Sequence, residues 1–201
     1  MPTTKAGRYH HGDLRTALID TAIELIAEGG VRTFSMAAAS RRLGVAVSAP
    51  YAHFTDRDAL LAAVAVRAYE QFSADLTPRL GSLASAADCL AAISHAYVRF
   101  AGQQRAMFEI LFGLGLEKRE HPEIDAAKQP ILAMFMRYVA EVDRAPNQPL
   151  AIAVEAVAHG YAMMLLDGDF GTEPGAVLDA AEQAARATYA VIEGRSLLTL
   201  P

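Results

Sequence analysis

The 201-residue chain is 53% hydrophobic, with 14 glycines, 9 prolines, one cysteine and a formal charge of −5. Such a composition supplies a sizeable core and excludes a disordered chain, while the lone Cys89 excludes a disulfide framework, a Cys-x-x-Cys redox pair and a cysteine-rich zinc site. With neither an uninterrupted apolar run of membrane-spanning length nor an apolar segment near Met1, the expectation is a soluble, cytoplasmic protein with no membrane partner.

The chain reads as helix almost throughout. Leu14, Leu18, Ala22 and Leu25, with Ile19 and Ile26 beside them, recur at helical spacing and stop at Gly29-Gly30. A short second helix is predicted over 36–43, with Ser35 placed to cap it and Gly44 to end it. A third, very short one is predicted over 48–53. Thr55-Asp56-Arg57-Asp58 has the Thr-x-x-Asp form of a capping box and starts a long fourth helix toward Leu76, with Pro78 marking its end. Further helices are predicted over 86–101, 107–113, 123–142, 150–166 and 176–193, giving about nine in all. The fold class is all-α, organised as a three-helix head over 1–55 and a helical bundle over 56–201.

The charge divides along the same boundary. Residues 1–54 carry six Lys and Arg against four Asp and Glu, +2, leaving twelve against nineteen, −7, for the rest. The two short helices around Gly44, supported by the first, make a helix-turn-helix unit, in which the second helix enters the DNA major groove. The string from Leu14 to Leu61 resembles the DNA-binding head of the TetR family of transcriptional regulators. The resemblance rests on Glu28-Gly29-Gly30, Thr33-x-Ser35, Ala39-Ser40-Arg41-Arg42-Leu43-Gly44-Val45 and Tyr51-Ala52-His53-Phe54, followed by Arg57 and Leu60. The lead-in Tyr9-His10-His11-Gly12-Asp13 is similar to a subset of that family.

This resemblance implies that Tyr51 and His53 reach phosphate oxygens from the recognition helix and fix its register. It places Arg57 where the family usually has Lys, as a further phosphate contact. Thr33 and Ser35 precede the second helix, whose amides can hold a phosphate, and Arg41 is a second cation within reach. Arg8, in the basic arm of residues 5–11, is expected to follow the backbone or enter a minor groove. Base edges fall to Val47, Ser48 and Ala49. Where the family usually reads Gly-Val-Ser-x-Gly-Thr-Leu-Tyr, this chain reads Gly44-Val45-Ala46-Val47-Ser48-Ala49-Pro50-Tyr51. Ala46 cannot cap and Pro50 lacks an amide hydrogen, so Ser48 is expected to cap and Pro50 to fall in the first turn. Phe54 is expected in the core.

For the acidic body the resemblance implies an effector pocket and a dimer interface. Ala158-His159-Gly160 resembles a His-Gly-containing C-terminal domain of some members, although Glu155 stands near the place where those have Trp. Cavities between bundle helices are common ligand sites. The candidate lining is Tyr97, Phe100, Met107, Phe108, Leu111, Phe112, Met134, Phe135, Tyr138, His159 and Met163, suited to an unknown, mostly apolar small-molecule effector. The same residues also make an ordinary core. Small and apolar residues on the last two helices, namely Ile152 and Ala156 on one, Val177, Ala181, Ala184, Thr188 and Val191 on the other, suggest a homodimer, although a monomeric bundle would bury the same stripes. Two-fold symmetry would then place two recognition helices on palindromic double-stranded operator DNA.

A small hydrolase is the rival class. Its strongest hint, His121-Pro122-Glu123-Ile124-Asp125, lacks the i, i+4 histidine pair of a zinc site. No catalytic residue, metal or cofactor is expected. The reading is a ligand-responsive repressor, with a ligand-independent DNA-binding regulator as the alternative.

Overall fold

Helix-end chemistry sets most of the element boundaries. In the computed structural model, which describes residues 11–113, 121–143 and 147–199, the order is α1 His11–Gly29, α2 Met36–Leu43, a 3-10 turn Ala49–Ala52, α3 Arg57–Leu80, α4 Ala86–Gln103, α5 Arg105–Gly113, α6 Pro122–Asp143, α7 Gln148–Asp167, α8 Ala176–Glu193 and a 3-10 turn Arg195–Thr199. Arg8 and the basic arm as far as residue 10 lie outside the described residues. The described residues are helical, without strands, as the periodicity predicts; eight of the elements are α-helices.

Ser35 caps α2 by accepting from the Ala38 amide at 3.2 Å, and Gly44 closes it with φ +67°, a left-handed conformation that only glycine adopts without strain. At α3 the cap is Asp56, not Thr55: Asp56 Oδ1 accepts from the Ala59 amide at 2.8 Å, and the Thr55 hydroxyl donates to Asp56 instead. Pro78 also fails to end α3, which runs on to Leu80. A proline one turn from a helix end deletes a single i→i−4 bond, and here the remaining turn is completed around it.

The third helix of the head is the larger departure from expectation. An α-turn at Pro50 would need its amide to donate to the Ala46 carbonyl, and proline has none. That carbonyl accepts instead from Ala49 N at 2.9 Å, and Tyr51 N donates to Ser48 O at 3.2 Å, giving 3-10 spacing. Pro50 does fall in the first turn, as expected, but the Ser48 side chain makes no capping bond.

Two hydrophobic cores share α3. Leu60, Leu61, Val64 and Ala65 pack with Leu18, Ile26, Phe34 and Phe54 in the head, whereas Phe72, Leu76 and Leu80 pack with Leu90, Val98, Phe108 and Val154 in the body. Helix α5 divides in the same way. Ala106 and Ile110 belong to the head-side core, and Met107 and Phe108 to the body. The first half of α3 therefore belongs structurally with the head, beyond the boundary read at residue 55.

The body is built on α4, α7 and α8, which pack against one another. Gly102 on α4 lets the helices close up, since a Cβ there would stand 2.9–3.0 Å from Val177 and Leu165 side-chain carbons. Buried between α4 and α8, Thr188 Oγ1 bonds Ser94 Oγ at 2.8 Å. Cys89 is buried in this core. Helix α7 is long and apolar enough to meet the length and composition of a membrane span, with mean hydropathy 1.5, although only part of it is buried in the bundle.

Candidate functional site

The head exposes an unusual pair of side chains. Val47 is 57% exposed and Tyr51 55%, both on the turn that replaces the recognition helix. Ala46, Ser48 and Ala52 are exposed beside them, Ala49 and His53 are half-buried, and Pro50 and Phe54 form the inner side. The expected base-reading trio is thus split: Val47 and Ser48 face outward, and Ala49 is partly covered.

The cations of the head are used unequally. Arg42 makes a two-pronged bond to Glu28, Nη1 to Oε1 at 3.0 Å and Nη2 to Oε2 at 2.6 Å, with Glu24 at 3.7 Å. This contact holds the Glu28 carboxyl below its usual range and ties α2 to α1. Arg57 also turns inward. Its Nη2 donates to the Val31 carbonyl at 2.6 Å and its Nε to the Phe34 carbonyl at 3.1 Å, and the guanidinium lies 5.9 Å from the Phe34 ring centroid. The expected phosphate contact is therefore replaced by a clamp joining the first turn of α3 to the loop before α2. Arg15 lies over the Phe54 ring at 5.1 Å. Arg41 is exposed, and no hydrogen bond or ion pair holds it among the described residues. The Thr33 hydroxyl is within 3.0 Å of the Gly29 and Gly30 carbonyls and closes the end of α1.

A cavity of about 150 Å³ lies in the body between α3, α4, α5, α6 and α7. Tyr97, Phe100, Leu111, Phe112 and Phe135 of the candidate lining face it. Met107 and Phe108 are buried behind these, and neither they nor Met134, Tyr138 and Met163 line it. Met163, at 40% exposure, is on the outer surface of α7. His159 sits at the edge of the aromatic cluster, with Nδ1 3.0 Å from the Tyr97 hydroxyl and its ring stacked on Phe108 at 6.0 Å. Burial, then the nearby Glu155 charge, pushes the Tyr97 phenol well above its ordinary range.

The candidate dimer residues separate by helix. Ala181, Ala184 and Thr188 are fully buried within the protomer against α4, and Val177 packs on Gly102. The three buried residues cannot meet a partner, because α4 occupies the face they form, whereas Val177 is half-buried. Val191 is half-buried at the edge of the same core. On α7, by contrast, Ile152 and Ala156 are exposed, together with Gly160, Met163 and Met164.

Residues 90–191 match the family model described as the tetracyclin repressor-like C-terminal domain, and residues 18–64 match that of the bacterial regulatory proteins of the tetR family. The chain belongs to the TetR family. As a TetR-family protein it is a transcriptional regulator with an N-terminal DNA-binding domain, not an enzyme. It is 24% identical over 163 residues to the uncharacterized HTH-type transcriptional regulator YobS of Bacillus subtilis (strain 168), covering 78% of this chain and 81% of that one. Its fold is similar to that of a protein of unknown function from Rhodococcus sp. RHA1, with TM-score 0.75, 27% identity, and 91% and 97% of the two chains covered. It is also similar to the TetR family regulator PfmR from Thermus thermophilus, with TM-score 0.63, 18% identity, and 87% and 96% covered. A third neighbour is RolR, solved in complex with resorcinol, with TM-score 0.61, 22% identity and 93% of each chain covered.

Sequence reasoning missed the α3 wall of the cavity, Tyr69 and Phe72, as well as Ile93, Ser94, Lys128, Ile131, Leu132, Val154, Glu155 and Ala158. A signal for the first two was available. Tyr69, Phe72 and Leu76 lie at i, i+3 and i+7, an apolar stripe continuing beyond the head.

Proposed function

We propose that this TetR-family regulator is a cytoplasmic repressor that binds palindromic operator DNA as a homodimer and is released by a small, mostly apolar effector. The observation that carries the release step is the shared architecture of α3 and α5. Tyr69 and Phe72 wall the cavity while Leu60 to Ala65 of the same helix belong to the head core; Leu111 and Phe112 wall it while Ala106 and Ile110 pack on the head side. A ligand that rearranges this wall tilts α3 and α5 and, through the Arg57 clamp, moves α2 and the reading turn. It must bind the released arrangement more tightly than the DNA-bound one, or it shifts nothing.

On the DNA side, Tyr51 and His53, with Thr33, Ser35 and Arg41, supply backbone contacts, and Val47 and Ser48 meet base edges, chiefly thymine methyls and groove shape. The dimer reading is supported by α7. Gly160 costs helix stability, yet nothing lies within 4 Å of the Cβ it lacks. Ile152, Ala156, Met163 and Met164 leave the same helix apolar on its outer side. A second copy of α7 fits that surface, and the outer face of α8, with Leu178 and Tyr189, extends it.

The test is recovery of bound fragments from genomic DNA, followed by a screen for compounds that release them. Inverted repeats separated by about one helical turn, or a small multiple of it, are expected. Fragments without such symmetry would refute the dimeric reading.

A further inference from the structure

Most of the cavity wall is hydrocarbon. Phe72, Phe100 and Phe135 line it together with Ile93 and Val154, and Phe72 meets Phe100 edge to face at 5.5 Å. Volume fixes the scale of the occupant. About 150 Å³ matches an apolar protein cavity known to take benzene, so a single ring fits and an extended acyl chain does not.

The polar side chains of the lining differ in what holds them. The Ser94 hydroxyl is bonded to Thr188 at 2.8 Å, and the Tyr97 hydroxyl lies 3.0 Å from His159 Nδ1. Lys128 and Glu155 bring one charge of each sign, so formal charge favours neither a cation nor an anion. Tyr69 stands apart. It is 9% exposed, and among the described residues its hydroxyl makes no hydrogen bond. No fully buried side-chain nitrogen or oxygen of those residues lacks a partner. The Tyr69 oxygen is therefore not sealed into the packing but opens on accessible space, and the space that Tyr69 lines is this cavity.

A phenol hydroxyl set in an apolar wall gains from a partner that stays in place, because bulk water does not compete there. One neutral hydroxyl cannot compensate a buried ion, so the partner it suits is an uncharged oxygen. Its position adds a consequence. Tyr69 belongs to the head-side core with Ile110 and Ile124, whereas Phe72, Ile93, Phe100 and Val154 belong to the body core. A bond made at Tyr69 acts on α3 where the two cores meet.

We propose that Tyr69 determines the specificity of the cavity, selecting a single-ring compound that bears a hydroxyl, with the ring among Phe72, Phe100 and Phe135 and the ligand oxygen accepting from the Tyr69 phenol. This rests on the effector reading above and gives the effector a chemical class and an anchor.

The experiment compares benzyl alcohol with ethylbenzene, near-isosteres that differ in carrying a hydroxyl or a methyl, by calorimetric titration of the full-length protein. The quantity read is the ratio of the two affinities. In Tyr69→Phe the ratio is expected to fall about fivefold in disfavour of the alcohol, the worth of one neutral hydrogen bond, with ethylbenzene binding as well as before or better. Tyr161→Phe, a phenol outside the lining, should leave the ratio intact. The unliganded Tyr69→Phe variant should melt no lower than the unaltered protein, since its hydroxyl bonds nothing within the described residues. An unchanged ratio in Tyr69→Phe overturns the proposal, and so does an equal loss of both compounds, which would make Tyr69 a shaping residue only. A lower melting temperature overturns it as well, by showing the hydroxyl engaged inside the protein, as does failure of both compounds to bind at millimolar concentration. Displacement of a genomic fragment recovered by the protein is read in parallel. Tyr69-dependent binding of the alcohol without displacement keeps the site and removes the effector reading. Displacement by ring compounds that is equal in the unaltered protein and Tyr69→Phe keeps the effector reading and removes the assignment to Tyr69.

Discussion

Arg41, Arg42 and Arg57 all belong to the head, yet they have three different situations. Arg42 is paired with Glu28, Arg57 is bonded to two backbone carbonyls, and Arg41 alone is held by nothing among the described residues. Arg57→Ala is therefore expected to destabilise the fold by about 2 kcal/mol, because two carbonyls lose charge-assisted donors. The salt dependence of DNA binding should stay the same in that variant. Arg41→Ala should leave stability unchanged and lower the salt slope by about one counterion per protomer. Denaturant titration and fluorescence anisotropy at several salt concentrations separate the two. His95 supplies a pH prediction. Burial, then Arg99 and Arg79, hold its folded pKa below the ordinary value. The unfolded chain then binds a proton at a pH where the native chain does not, so stability falls as pH drops below about 6.5. In His95→Gln this acid loss should be shallower, as measured by urea midpoints between neutral and mildly acidic pH.

At the scale of elements, the helix periodicity and the caps made nearly the whole fold legible. The exceptions are instructive because each turns on one atom. Pro50 lacks the amide that an α-turn would use, which leaves the expected third helix as a 3-10 turn. Asp56 outcompetes Thr55 for the cap, since its carboxylate is the stronger acceptor at a helix N-terminus. What could not be read was which neighbour each stripe meets. Ala181, Ala184 and Thr188 form the small-residue face expected of an interface, and α4 covers it within the protomer. The inward turn of Arg57 toward carbonyls 23 and 26 residues away is likewise invisible in local spacing. Two glycines give opposite expectations. In Gly102→Ala the new methyl meets Val177 and Leu165; overpacking of about 1–3 kcal/mol exceeds the helix-propensity gain of about 1 kcal/mol, for a net loss. Gly160→Ala meets nothing in the protomer and should stabilise an isolated protomer by about 0.5–1 kcal/mol. Urea denaturation of the full-length protein reads the first, and the second is read at protein concentrations low enough to dissociate the proposed dimer.

For the whole molecule, the formal charge of −5 conceals a division of labour. Residues 1–54 carry +2 and the rest −7, which suits a head that meets phosphates and a body that stays clear of them, while α3 and α5 connect the two cores. Part of the positive charge of the head is spent internally, so affinity must draw on neutral donors and on paired heads as well as on cations. Placing arginine at both Ala156 and Gly160, on the outer side of α7, should give a monomer by sedimentation at micromolar concentration, with helicity retained and DNA affinity lost. The most direct test of the DNA-reading assignment is the affinity of Tyr51→Phe with His53→Ala for a genomic fragment that the unaltered protein recovers. A loss of more than about tenfold with an unchanged melting temperature is expected, since Tyr51 is exposed, His53 is half-buried beside it, and the proposed function assigns each a backbone contact. An unchanged affinity would contradict the assignment of this turn as the DNA-reading surface.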